Sequence, residues 1–212
     1  RVGGILANQN YKANFIYENL MIQTNVIHSA YKAGVKRLIF LGSSCIYPKF
    51  SKQPIKEDYL LSGKLETTND AYSIAKIAGV KMCEFYNKQY EKSHNLDYRS
   101  VMPTNLFGYG DNYNLNNSHV IPALIRKIHE AKIDNNNLEV WGTGNARRDF
   151  LFVDDLAEII EKLLQLPKKR FFTKSYDNNH INVGSSDEIS IKNLVKLISK
   201  IIGYKNKVFF NK

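Results

Sequence analysis

The stretch Arg37-Leu38-Ile39-Phe40-Leu41-Gly42-Ser43-Ser44-Cys45-Ile46-Tyr47-Pro48 decides the fold. It opens with a short, continuous apolar run, the pattern of a strand buried on both faces in a parallel sheet. It passes into a Gly/Ser turn that Pro48 ends. Parallel sheets bind their ligands beyond the carboxyl ends of their strands. That is where this turn puts two hydroxyls, a thiol and a phenol.

The flanks keep the same alternation. Residues 15–33 repeat apolar side chains at helical spacing (Leu20, Ile22, Val26, Ile27, Ala30), and Gly34 ends the run. Residues 43–70 read as a long polar loop, and 71–91 as a second helix. Tyr98 to Met102 is a second buried strand, stopped by Pro103, with a Gly/Asn/Asp-rich loop over 105–117. Helix 120–131, strand 138–141 and strand 150–153 follow. Asp154 is then expected to cap a helix running to Leu166. A loop or insertion covers 168–179, and strand 181–183, helix 191–202 and strand 207–210 complete the chain. Strands alternating with helices of this length mean βαβ units. The expected fold class is α/β, a partial Rossmann-type doubly wound parallel sheet with a small α+β substrate-binding domain. We expect 1–106 to form the later part of the Rossmann domain. Residues 107–212 form the substrate-binding region, interleaved with returning Rossmann elements at about 150–184.

Composition narrows the function classes. The chain has 212 residues, 43% hydrophobic and 24% charged, which excludes disordered, collagen-like and coiled-coil classes. Its apolar runs are too short to span a bilayer, so no membrane is expected. Lys and Arg number 30 against 20 Asp and Glu, a net charge of +10, but the basic residues are dispersed without an aromatic-interleaved stripe. Nucleic acid is therefore not an expected partner, whereas an anionic small substrate is favoured. Two unlike cysteines exclude a disulfide scaffold and fit a reducing, cytoplasmic setting. Cys83 reads as a small core residue. No secretory signal opens the sequence, and the first residue, Arg1, points to a chain that begins within a longer protein. His28, His94, His129 and His180 have no metal-ligand spacing, so no metal is expected.

Tyr72-Ser73-Ile74-Ala75-Lys76 brings the Ser/Cys turn a partner. At i,i+4 on a helix, Tyr72 and Lys76 share one face. An unperturbed phenol titrates near 10, and a nearby cation favours its ionised form. Alone, the spacing is common on helix surfaces. Taken with Gly42-Ser43-Ser44 at a strand end, it resembles the extended short-chain dehydrogenase/reductase (NAD-dependent epimerase/dehydratase) family. Within it, further stretches resemble the GDP-L-fucose synthase branch: Phe40 to Pro48, Ala75-Lys76-Ile77-Ala78-Gly79, Tyr98 to Leu106, Asn117-Ser118-His119-Val120-Ile121-Pro122-Ala123-Leu124, and Phe150 to Asp155.

The resemblance implies a two-part reaction. GDP-4-dehydro-6-deoxy-D-mannose is epimerised at C3 and C5, then reduced at C4 with NADP(H) as cofactor. By position, the catalytic residues are Ser43, Cys45, Tyr72, Lys76 and His119. Ser43 and Tyr72 would hydrogen-bond the developing enolate oxygen. Cys45 and His119 would be the base and acid on opposite faces of the epimerised carbon. Lys76 would lower the Tyr72 pKa and hold the nicotinamide ribose. Gly3, Gly4, Pro103, Thr104, Asn105 and Leu106 match cofactor-lining stretches. Lys127, Trp141, Arg148 and His119 match substrate contacts, although Arg147 beside Arg148 blurs that assignment. A homodimer is implied, built on helix 15–33 and the Tyr72 helix. The family's Gly-rich opening turn is not in this sequence. Gly142-Thr143-Gly144 reads as a simple turn. A chain entering at the fourth strand is expected to bind NADPH weakly and to leave sheet surface exposed.

Other readings remain open. Read singly, Cys45 is a buried loop thiol, His119 a helix cap, and Asp154-Asp155 a helix-start pair favoured by the dipole. Another nucleotide-sugar epimerase or dehydratase would favour Thr at 45 and lack His119. A non-catalytic nucleotide-binding scaffold would have lost Tyr72 or Lys76.

Overall fold

The computed structural model describes residues 1–172 and 180–211. The chain opens with a short helix α1 (Ile5–Asn10), followed by α2 (Lys12–Lys32), β1 (Arg37–Leu41), α3 (Asp70–His94), β2 (Asp97–Pro103) and β3 (Asn105–Phe107). Next come α4 (Val120–Ile133), β4 (Leu138–Trp141), β5 (Arg147–Phe152), α5 (Val153–Gln165) and α6 (Lys168–Phe172). The last elements are β6 (His180–Val183), β7 (Glu188–Ser190), α7 (Ile191–Ile202) and β8 (Val208–Asn211). Among the described residues, no helix is long and apolar enough to cross a membrane.

β1, β2 and β6 form a parallel sheet in that order, with Arg37 opposite Asp97 and Val101 opposite Ile181. Side chains alternate between its faces, as the pleat requires. Leu38, Phe40 and Tyr98 pack with Ile27 of α2 and Cys83 of α3. Ile39 and Val101 pack on the other face with Leu151, Leu156 and Val183. Helices therefore cover both faces, the α/β layering expected from the strand–helix alternation. Cys83 is fully buried, as expected.

β2 is buried along all seven residues. β1 corrects the expectation of a strand buried on both faces. It lies at the edge of the described sheet, its ends are exposed, and Leu41 is 40% exposed. A groove of about 240 Å³ runs along it between α2 and the sheet.

α3 lies unusually close to β1. A Cβ on Gly79 would come within 2.3 Å of the Phe40 ring, so only glycine lets the Tyr72 helix settle at this height. Asn95 in the left-handed conformation ends α3. β3 pairs in parallel with β5, and β7 pairs antiparallel with it. β4 and β8 form a separate parallel pair, covered by α4 and α7 around Leu124, Ile128, Leu194, Val195 and Ile198. Ser190 caps α7 by accepting from the Asn193 N–H.

Asp154 does not cap α5. Phe152 occupies that position, and both aspartates lie in the first helical turn, where the helix dipole favours negative charge. Four short elements escaped the pattern reading: α1, β3, α6 and β7. Residues 168–172 are helical, and 173–179 of the expected insertion lie outside the described residues.

A charged cluster holds α5 to the sheet. Arg99 of β2 has no exposed surface and grips Asp97 through Nε at 2.8 Å and Nη2 at 2.6 Å. It also donates to the carbonyls of Leu163 and Leu166 at the end of α5, under the Phe171 ring. Arg37 adds a bond from Nε to Asp97 at 2.8 Å.

Candidate functional site

β1 ends where chemistry-bearing side chains meet. The Gly42 N–H donates to the Val101 carbonyl at 2.8 Å, extending the strand ladder to the edge of the turn. Ser43 follows and caps a single 3₁₀ turn, Ser44–Ile46, its Oγ accepting from the Cys45 N–H at 3.3 Å. The Cys45 carbonyl accepts from Ser73 Oγ at 2.9 Å, which ties the turn to the residue after Tyr72. The Cys45 side chain is exposed, which corrects the reading of a buried loop thiol.

Tyr72 and Lys76 stand one turn apart on α3, as their spacing requires. The Lys76 Nζ donates to the Leu41 carbonyl at 2.8 Å, 5.0 Å from the Phe40 ring centre and 5.8 Å from that of Tyr72. Burial lowers its pKa. The expected lowering of Tyr72 does not appear. Burial pushes its phenol up to about 12, the nearby Cys45 adds to that, and a hydrogen bond with Ser43 only partly offsets it. The ammonium is turned to the Leu41 carbonyl and the Phe40 ring, so desolvation decides the sign.

His119 occupies the N-cap position of α4 and its side chain makes no capping bond. It is exposed, on a segment that leans against the start of the chain. The Gly4 N–H donates to the Asn117 carbonyl at 3.1 Å, and a Cβ on Gly4 would stand 2.5 Å from the Ser118 oxygen. Gly4 thus serves close backbone approach to the His119 segment. A Cβ on Gly3 would also stand 3.3 Å from Phe15, whose ring meets Tyr72 edge-on at 6.4 Å. Phe15 thereby links the two segments.

The other expected residues fall into two groups. Pro103 ends β2 opposite Val183, and the Thr104 N–H donates to the Val183 carbonyl at 3.0 Å. Thr104 Oγ1 donates to Asp149 Oδ1 at 3.3 Å, and Asn105 Nδ2 to the Asp149 carbonyl at 3.0 Å. Leu106 packs in the α5-side core. In the second group, Lys127 Nζ lies 4.7 Å from the Trp141 ring centre, a cation–π distance, and Trp141 is 69% exposed. The two arginines separate. Arg147 is committed to Glu188 by a 3.0 Å ion pair, while Arg148 Nη1 turns to the Arg147 carbonyl at 2.7 Å and is exposed.

Tyr47 stands in the strand-end turn that the sequence singled out, whereas Ser73, Asp149 and Asn182 went unnoticed as organisers of the site. None of these three carries a spacing signal, because each acts through a partner distant in sequence.

A doubly layered parallel sheet, with a Ser/Tyr/Lys group at the carboxyl end of a strand, defines a doubly wound α/β protein of the dinucleotide-binding kind. The sequence agrees with the geometry. The chain belongs to the NAD dependent epimerase/dehydratase family, which it matches over residues 1–184. It is 50% identical over 213 residues to the GDP-L-fucose synthase of Escherichia coli (strain K12), covering 100% of this chain and 65% of that protein. It is 52% identical to a putative GDP-L-fucose synthase 2 of Arabidopsis thaliana, covering 100% and 61%. Among solved structures, the Campylobacter jejuni GDP-mannoheptose C4 reductase MlghC with NADP bound superposes with a TM-score of 0.86 at 36% identity, covering 100% of this chain and 69% of that one. The motif resemblance to the GDP-L-fucose synthase branch thus extends along the whole chain, which spans just under two thirds of these curated relatives.

Proposed function

We propose that this chain carries the reaction centre of an NADPH-dependent epimerase–reductase that converts GDP-4-dehydro-6-deoxy-D-mannose to GDP-L-fucose. The observation that carries the reading is the gathering of Ser43, Cys45, Tyr72 and Lys76 around the end of β1. Half-identical relatives named GDP-L-fucose synthase support it.

Protons beside a ketone become removable when the oxygen that gathers charge is hydrogen-bonded. Ser43 and Tyr72 fill that role at the C4 oxygen. Cys45 removes a proton from C3 or C5, and His119 returns one from the opposite face. The donor chemistry at Lys76 fits a nicotinamide ribose. Its ammonium carries three N–H bonds, directs one to the Leu41 carbonyl, and stands one helical turn from Tyr72. A bound NADPH supplies the hydride for C4. Tyr72 then delivers its phenol proton to the C4 oxygen. A phenol held near pKa 12 is a protonated donor at neutral pH, the form this step requires. Lys127 and Trp141 offer a cation and an aromatic face to the GDP-sugar, and Arg148 a guanidinium to its diphosphate.

The exposed apolar residues of α2 and α3 (Met21, Ile22, Val26, Ile74 and Phe85) supply the contact surface of a homodimer. A reaction drawing on NADPH and a GDP-sugar, in a chain with two free thiols, belongs to the cytoplasm.

The test is NADPH oxidation with GDP-4-dehydro-6-deoxy-D-mannose, using the gene product that carries this sequence. Tyr72→Phe is expected to abolish oxidation, and Cys45→Ser to stop deuterium entering C3 and C5. A folded gene product that oxidises no NADPH with this substrate would overturn the reading.

A further inference from the structure

Ser43, which caps the 3₁₀ turn, and Cys45, inside it, are held by different parts of the protein. Ser43 follows Gly42, whose N–H is bonded to Val101 of the central strand. Cys45 is three residues beyond that anchor. It is held from α3 by Ser73 Oγ on its carbonyl. The other end of the turn is held from β6. Tyr47 closes the turn through its N–H to the Ser44 carbonyl at 3.4 Å. Its ring is 4% exposed, and its phenol donates to Asn182 Oδ1 at 2.5 Å. The phenol's one hydrogen goes to Asn182, so the contact with His180 Nε2 at 3.1 Å is one in which histidine donates.

Asn182 is itself fixed on both sides. Its Nδ2 donates to the Ile55 carbonyl at 3.0 Å and its N–H to Glu57 Oε1 at 2.9 Å. The loop that leaves the turn is therefore stitched back to the end of β6, 135 residues along the chain from Tyr47. Such a network is stiff because each buried polar atom has few alternative partners.

We propose that Tyr47 and Asn182 are positioning residues that set the place of the Cys45 thiol relative to Tyr72. This rests on the function proposed above, in which Cys45 moves protons and Ser43 and Tyr72 serve the ketone oxygen. Ser43 is held by the strand and Tyr72 by α3, so cutting the Tyr47–Asn182 bond should displace Cys45 and leave the other two in place. Proton removal tolerates little displacement.

The experiment separates the two halves of the reaction in the gene product. Deuterium entry into GDP-4-dehydro-6-deoxy-D-mannose in heavy water, without NADPH, reads epimerisation alone. NADP⁺ reduction with GDP-L-fucose, the reverse of the last step, reads hydride transfer alone. In Tyr47→Phe, deuterium entry is expected to fall by about tenfold or more, while hydride transfer falls less than about threefold. Asn182→Asp keeps an oxygen to accept the phenol but loses the Nδ2 bond to Ile55, and should retain more of the exchange than Tyr47→Phe. Asn182→Ser removes that acceptor with a smaller side chain and serves if Tyr47→Phe does not fold. Equal loss of both rates, as a purely structural role would give, overturns the proposal, as does loss of neither.

Should the wild type act on no GDP-sugar, the function falls but the positioning can still be read. Cys83 is buried, so iodoacetamide reports on Cys45. Alkylation about threefold faster or more in Tyr47→Phe supports a released turn, and an unchanged rate overturns it.

Discussion

Replacing Arg99 with Met removes a guanidinium that has no exposed surface while preserving most of the side-chain length. Asp97, 4% exposed, loses both of its bonds to Arg99 and keeps only the partly exposed Arg37. The carbonyls of Leu163 and Leu166, at the end of α5, lose their donor. Breaking a buried ion pair from one side typically costs about 3–5 kcal/mol, because the remaining charge stays buried. Orphaned carbonyls cost about 1–3 kcal/mol each, but they lie at a helix end that water can reach as it frays. We therefore expect a loss of about 4 kcal/mol, which at a urea dependence of about 2–3 kcal/mol per molar lowers the unfolding midpoint by about 1.3–2 M. Urea unfolding followed by circular dichroism reads that midpoint directly. The double variant Arg99→Met with Asp97→Leu removes both charges and should recover about 1–4 kcal/mol of the loss. A midpoint drop below about 0.5 M in the single variant would refute the reasoning, since Asp97 would then be satisfied without Arg99.

Three further outcomes follow from the geometry. Gly79→Ala gains helix propensity but drives a methyl into the Phe40 ring, which also lies under Lys76; we expect a net loss of about 1–2 kcal/mol by thermal unfolding, together with weaker hydride transfer, and a stabilised variant would refute the close approach. Burial raises the pKa of the Glu84 carboxyl, but Lys81 and Lys88 outweigh it and hold the pKa below its ordinary 4.5. The stability this gives is therefore full above pH 4.5 and lost as pH falls through the lowered value, so Glu84→Gln should flatten the acid side of a stability–pH curve. Trp141→Ala removes the ring facing Lys127 and should raise KM for the GDP-sugar by about fivefold with kcat nearly unchanged, the mark of an interaction made equally in ground and transition states.

The positions of Tyr72, Ser43 and Lys76 follow from local rules. A helix places i and i+4 on one face, and an apolar strand ending in Gly-Ser-Ser places hydroxyls at its carboxyl end. Those relations hold wherever the elements pack, so they were legible in the linear sequence, along with the α/β class and the burial of β2 and Cys83. Electrostatics were not. The phenol of Tyr72 is raised and not lowered, because desolvation depends on what surrounds the ring and on where the Lys76 ammonium turns. The edge position of β1 and the short strands β3 and β7 also depend on partners supplied from elsewhere. Arg99, buried inside a strand that reads as apolar, is tolerated only because Asp97 and the end of α5 meet it there. Asn182 and Tyr47 meet only after β6 returns beside β2. The sequence by itself determined which side chains share a face and which run is buried, since periodicity is a property of the local backbone. Tertiary structure alone decided which charges are solvated and which distant polar atoms meet, since both depend on packing between segments far apart in the chain.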